Sequence, residues 1–389
     1  MPERSFPATG ALAPRVPVAR PELPLAEDIA RYMTMLDGSR VYTNLGSMSL
    51  TLEARLKTHF GLTTGGATAT ASGWAAITGA ILGRAGRARK DRQIALCASY
   101  TFVASVTAVQ ACGYRPYLVD VDAESWALDP QILRSHPQLP HAGLVLLTAP
   151  FGRLPDLAAW DAFTRQTGVP VVIDAAAGFD VASRRGMGLP STLTLAMSFH
   201  ATKAFGCGEG GAIFCTDDAL LRRCHRTINN GFLNTRDVVG DNFNGKMSEY
   251  HACVALAELD RWAIKSARAE AVAALYRRQA ARSGLAGRFF TGGAVSSAYA
   301  LCAFARAEEA LAARTSLERE GYDSRFWYGF GLHSERGFGP FPRDELPVTD
   351  RLARTLLGVP MFIDLPPADI ARICTLLAGV NSPSSRAVT

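Results

Sequence analysis

Three short stretches carry side chains whose types and spacing could do chemistry together. Lys203, in SFHATKAFGCGEGG, follows an apolar run and precedes a glycine-rich turn, with small or apolar neighbours. An amine so placed is expected to be desolvated, with its pKa lowered, and such an amine can form a Schiff base with a carbonyl. The plainer alternative is one more surface lysine. Asp174 closes the run VPVVID, 29 residues earlier. A carboxylate there can cap the segment that follows, or it can reach into a crevice and bond a pyridine nitrogen, keeping the ring protonated as an electron sink. Ser72-Gly73 stand directly before a helical pattern. Free N–H groups, the helix dipole and a glycine that admits close approach make a phosphate seat, although a simple helix cap has the same appearance. An amine, an acid for a ring nitrogen and a phosphate seat are what pyridoxal 5′-phosphate (PLP) requires.

The pattern of the chain says what must position these groups. Residues 1–24 are rich in proline and read as an extended arm. Helical spacing is predicted over 25–36, 50–60 and 74–82, with a turn-rich stretch of small residues, TTGGATATASG, between the last two. Short apolar runs at 93–97, 117–121, 143–148, 169–173, 194–199 and 211–215 then alternate with helical patterns at 104–112 and 157–167. That alternation predicts an α/β domain with a parallel or mixed sheet covered on both faces, over 25–265. A helix at 267–281, an apolar run at 299–304 and helices at 308–320 and 366–377 predict a smaller α+β domain over 266–389. Gly206, Gly208 and Gly211 spell the dinucleotide fingerprint, but they lead into an apolar strand rather than opening a helix, so that reading is set aside.

Composition excludes several classes. The chain has 389 residues, 48% hydrophobic and 20% charged, enough for a large core, and no apolar run approaches a membrane span. The N-terminus lacks the apolar core of a signal peptide. Eight scattered cysteines without a C-x-x-C pair predict reduced core residues of a cytoplasmic protein and no metal site. The net charge of +6 is spread along the chain, unlike the basic stripe of a nucleic-acid groove.

Beyond the residues themselves, the chain resembles the DegT/DnrJ/EryC1/StrS family of PLP-dependent sugar aminotransferases, of fold type I (aspartate-aminotransferase-like). The resemblance runs from about Asn44 to Pro367. It is carried by NLG with a following LE, SGWAA, YTFVAS, YLVDVD with WALDP, APFGRLPD, VVIDAAAG, SFHATKAFGCGEGGAIF, NFNGKMSE and VPMFIDLPP, in that order. It implies that Lys203 holds the cofactor as a Schiff base and later moves the proton, and that Asp174 bonds the pyridine nitrogen. Phe102 would stack on the ring. Ser72, the Gly73 and Trp74 amides and the Ser198 hydroxyl would hold the phosphate. Asn244 would reach the phosphate in a neighbouring subunit, so a homodimer with shared sites is expected. Trp74 stands where the family has Thr or Ser, and Ala177 stands where it has Gln or His near the 3-oxygen of the ring. The retained lysine, where related sugar dehydratases have histidine, implies a transaminase. Glutamate as donor and a nucleotide-linked keto-sugar as acceptor are the implied substrates. A keto-cyclitol or non-sugar ketone, or a PLP-binding regulatory protein with little catalysis, remain alternatives. Arg325, Trp327, Tyr328 and His333 lie where the family contributes substrate contacts, and they suit a nucleotide ring and diphosphate. An aromatic cluster packing one domain on the other would have the same composition.

Overall fold

The computed structural model describes residues 16–338 and 340–380. Residues 1–15 of the expected N-terminal arm therefore lie outside the described residues. From Val16 the arm is extended: Val16 pairs with Tyr322, and the Val18 carbonyl accepts the Met361 N–H.

Helices α1 (Ala26–Ser39) and α2 (Ser47–His59) lead into β1 (Gly66–Thr70) and α3 (Gly73–Arg84). Next come β2 (Ile94–Ala98), α4 (Val103–Ala111), β3 (Arg115–Val119), α5 (Pro130–Arg134), β4 (Ala142–Thr148) and α6 (Leu157–Thr167). They are followed by β5 (Val171–Asp174), α7 (Phe179–Arg185), β6 (Leu193–Ser198), β7 (Gly211–Cys215) and α8 (Asp218–Ile228). Helix α9 then runs for 34 residues, Glu249–Arg282. The chain ends with β8 (Phe289–Phe290), β9 (Ala300–Ala303), α10 (Ala307–Arg319), α11 (Pro347–Thr355), β10 (Leu356–Val359) and α12 (Pro367–Gly379).

The first seven strands form one mixed sheet in the order β1-β7-β6-β5-β4-β2-β3. Strands β2 to β6 are parallel, and β7 is antiparallel to both β6 and β1. Alternate residues serve opposite faces: Val145, Leu147, Val171 and Ile173 enter one core, and Leu144, Leu146 and Val172 the other. Burial on both faces is why these strands are unbroken apolar runs in the sequence. Parallel strands end at one edge, so Ala98, Thr148, Asp174 and Ser198, each the last residue of its strand, lie along it.

Several elements differ from expectation. The stretch predicted as a turn contains β1, fully buried and paired residue for residue with β7. Its Ala and Thr side chains give no apolar alternation; pairing with β7 and cover from α2 and α8 make it a strand. The helix expected at 267–281 is the second half of α9, which starts at the Ser248 cap. Residue 265 therefore lies inside a helix, not in a linker. Trp262 packs in the large core, whereas Val272, Ala273 and Tyr276 pack in a second core with the three-stranded sheet β10-β9-β8. All eight cysteines are buried and unpaired.

Glu53 is enclosed between α2 and β1, its Oε1 accepting the Ala69 N–H at 2.8 Å. Burial pushes its carboxyl up to about 8, against that hydrogen bond and with help from nearby Glu249. Its neighbour His225, 3.7 Å away, is held below its usual pKa by burial. An unfolded glutamate ionises near pH ~4.3. Between that pH and about 8 the folded state binds more protons than the unfolded state, so this group's contribution falls as pH rises. Glu53→Gln, which cannot ionise, should melt higher than wild type at a pH of about 8 and lose that advantage as the pH is lowered toward about 5. Thermal unfolding scans at the two pH values check this.

Candidate cofactor and active site

Asp174 sits at the carboxyl end of the central strand β5 and is 5% exposed. It does not cap α7, whose first turn begins beyond Gly178. Its Oδ1 accepts the Ala176 N–H at 3.1 Å and its Oδ2 accepts the Ser105 hydroxyl at 2.5 Å. Burial raises its pKa, opposed by those two hydrogen bonds and by the positive charge of Lys203. A buried carboxylate so placed is stabilised by a cationic partner in the crevice, and a pyridinium nitrogen is one.

Lys203 lies in the loop that folds back between β6 and β7, held by Ala201 N–H to Gly208 O and Lys203 N–H to His200 O. Gly208 takes φ 92°, a left-handed conformation that favours glycine. The residue is half-buried, less enclosed than its apolar flanks imply, and lines a cleft together with Arg20, Asp180, Trp262 and Phe362. Its Nζ lies 3.5 Å from the Tyr299 hydroxyl. The glycine run ends in β7 and opens no helix.

The third group is the start of α3. The Ser72 hydroxyl accepts the Ala75 N–H at 3.1 Å, and the Ser72 carbonyl accepts that of Ala76. This is a helix cap, and it leaves the Gly73 and Trp74 N–H groups for a ligand. A Cβ added at Gly73 would fall 2.6 Å from Ser198 Cβ and 2.8 Å from its Oγ. The helix start and the Ser198 hydroxyl thus form one cradle that only glycine leaves open. The Trp74 indole turns away: its Nε1 donates to Thr107 at 3.1 Å and its ring meets Phe243 edge-on at 6.2 Å.

The remaining expected residues are placed less uniformly. Phe102 caps α4 with its side chain 60% exposed, three residues before Ser105. Ala177 is half-buried, and its carbonyl lies against Gly152, where a Cβ would come within 2.4 Å. Asn244 is exposed and accepts from Lys246 at 2.7 Å. Arg325 is exposed, its guanidinium 5.0 Å from the Trp327 ring centre; Trp327 meets Tyr299 edge-on at 5.2 Å, which connects it to Lys203. Tyr328 stacks on Phe151 at 4.9 Å, and its hydroxyl accepts the Phe151 N–H. His333 has both ring nitrogens engaged: Nδ1 bonds Ser99, just after β2, at 2.9 Å, and Nε2 bonds Asp350 of α11 at 3.1 Å.

Reading the sequence missed Tyr299, which nothing local marks, and Ser105 with Thr101, hydroxyls four residues apart in an apolar stretch. The donor set fits PLP: two free amides and a hydroxyl for the phosphate, a buried carboxylate for the ring nitrogen, and an amine whose charge acts on that carboxylate. Among the described residues no cluster of His, Cys, Asp or Glu could hold a metal, and no helix is long and apolar enough to cross a membrane.

Comparison with known proteins agrees with this fit. The sequence model of the DegT/DnrJ/EryC1/StrS aminotransferase family matches residues 24–378. Protein Rv3402c of Mycobacterium tuberculosis is 28% identical over 375 residues, covering 94% of this chain and 90% of its own. The UDP-2-acetamido-2-deoxy-3-oxo-D-glucuronate aminotransferase of Pseudomonas aeruginosa is 29% identical over 283 residues, 72% of this chain and 77% of its own. A solved Bacillus cereus structure, assigned as a PLP-dependent aminotransferase, superposes with a TM-score of 0.86 at 26% identity, covering 93% of this chain and 99% of its own.

Gly73→Ala should close the cradle, since the added carbon must displace Ser198. Retention of PLP is expected to fall at least about tenfold, the equivalent of about 1.4 kcal/mol, in equilibrium titrations of the visible absorption band.

Proposed function

This chain belongs to the DegT/DnrJ/EryC1/StrS aminotransferase family and is a PLP-dependent aminotransferase, and we propose that it moves an amino group from glutamate to the carbonyl of a nucleotide-linked keto-sugar. The observation that carries the site assignment is that Lys203, in the loop after β6, sets its positive charge on Asp174 at the end of the adjacent β5, beside the Gly73–Ser198 cradle. The acceptor is supported by relatives named for such sugars: the Pseudomonas enzyme for a UDP-linked 3-oxo sugar, and a Shigella dysenteriae relative for dTDP-4-amino-4,6-dideoxy-D-glucose.

When bound, PLP supplies an aldehyde that carries the amino group and a conjugated ring that takes up the electron pair released at the substrate carbon. In this reading the Gly73 and Trp74 amides and the Ser198 hydroxyl hold the phosphate. Asp174 accepts a hydrogen bond from the ring nitrogen and keeps a proton there. Lys203 Nζ would tether the cofactor and, when free of it, would act as the general base that moves the proton between carbon atoms. The Tyr299 hydroxyl, 3.5 Å away, orients Nζ between those positions. Phe102 would offer its exposed ring to the cofactor. Arg325, stacked on Trp327, meets the substrate's anionic groups at the mouth of the site. Asn244, exposed, would serve the site of a second copy, which would make a homodimer the active unit.

The purified protein should be yellow, and glutamate should bleach its visible band. Lys203→Ala should lower turnover by at least about a thousandfold, within the range for loss of a general acid–base and nucleophile. Nucleotide-linked amino sugars, offered as donors in the reverse direction, should bleach the same band. Bleaching by none of them would assign the acceptor to a keto-cyclitol or a non-sugar ketone.

A further inference from the structure

Three buried hydroxyls stand in line behind Asp174. Thr148, the last residue of β4, donates from Oγ1 to Thr101 Oγ1 at 2.9 Å. Thr101, just before α4, and Ser105, in its first turn, are linked Oγ1 to Oγ at 2.9 Å. Ser105 donates to Asp174 Oδ2 at 2.5 Å. All three are buried, at 6%, 2% and 1% exposure, so water does not compete for these bonds. The direction of donation is fixed from the far end. An ionised carboxylate only accepts, so Ser105 must give its proton to Asp174; Ser105 then accepts from Thr101, and Thr101 from Thr148. Hydrogen bonds running in one direction polarise one another, so each hydroxyl draws charge from the carboxylate. The sheet register keeps the ends together, because Thr148 lies opposite Asp174 across β4 and β5.

We propose that Thr148, Thr101 and Ser105 form a directed hydroxyl relay that holds Asp174 as an ionised acceptor for the ring nitrogen of the cofactor, which makes Ser105 a positioning residue. The proposal rests on the assignment of Asp174 to that nitrogen. Its logic is a competition for one proton. The carboxylate already feels burial, and the charged or titratable groups that face it are Lys203, from the loop after β6, and Tyr328, from the aromatic segment. Without Ser105 the Oδ2 charge is unshared, the carboxylate becomes the stronger base, and the shared proton moves from the ring toward Asp174. A less positive ring withdraws fewer electrons from the tethering nitrogen, which then holds its own proton to higher pH.

The readout is the pH at which the visible band of bound PLP titrates in the full-length holoenzyme, together with the melting temperature of the cofactor-free protein. Ser105→Ala should move the titration upward by about one pH unit, Thr101→Val by less and Thr148→Val by least, while Ser105→Thr keeps the wild-type value. A graded shift is expected because the three hydroxyls stand at increasing distance along one chain, and a packing defect would not follow that order. The proposal is overturned by an unchanged or downward titration in Ser105→Ala, or by equal shifts in all three variants. If Ser105→Ala does not fold, the isosteric Thr101→Val carries the test: a smaller upward shift supports the relay and no shift overturns it. Asp174→Asn separates the two levels. If it moves the band and Ser105→Ala does not, the relay alone falls. If neither moves it, Asp174 does not bond the ring nitrogen, and the relay falls with that assignment.

Discussion

The structure is organised around one cost, that of keeping a carboxylate out of water at the end of β5. Burying an isolated anion costs several kcal/mol even after relaxation, and Asp174 is almost completely enclosed. Each neighbouring element offsets part of that cost. The turn after β5 gives the Ala176 N–H, α4 gives the Ser105 hydroxyl, and the loop after β6 brings the charge of Lys203. The pKa still lies above its ordinary value. A cation brought into the crevice would offset more of that cost.

Geometry at the other end of the site is set by closeness rather than by charge. Strands β5 and β6 are neighbours with Asp174 opposite Ala196, so Ser198 projects just beyond the carboxylate along the same edge. The approach of α3 to Ser198 through Gly73 fixes the spacing between the start of that helix and the Asp174 carboxylate. Trp74 fits this arrangement although its side chain has no hydroxyl. Its backbone amide stays at the helix start, and its indole is spent on Thr107 and Phe243, which ties α3 to α4. The substitution thus braces the two helices that carry the cradle and the relay.

What the sequence revealed follows from which physics is local. The parallel strands were legible because burial on both faces writes continuous apolar runs, as in GLVLLT and VVID. Strand β1 was not, because GATAT owes its burial to pairing with β7 and cover by helices, which no local pattern records. The extent of α9 was hidden for a similar reason: its first half packs in the large core and carries no single apolar stripe. At the site, Asp174, Lys203 and Ser72-Gly73 stood at strand ends and a helix start that sequence can locate. Tyr299 comes to Lys203 from 96 residues away, and His333 looked available until Ser99 and Asp350 took its two nitrogens.

Helix α9 has a mechanical meaning. At about 1.5 Å per residue, its 34 residues form a beam about 51 Å long, embedded in the large core near Trp262 and in the small one from Val272 onward. A hinge needs a few residues free to change φ and ψ, and a hydrogen-bonded helix interior has none. The two cores are therefore welded at this crossing. A change of tilt between them must bend this helix rather than turn a linker.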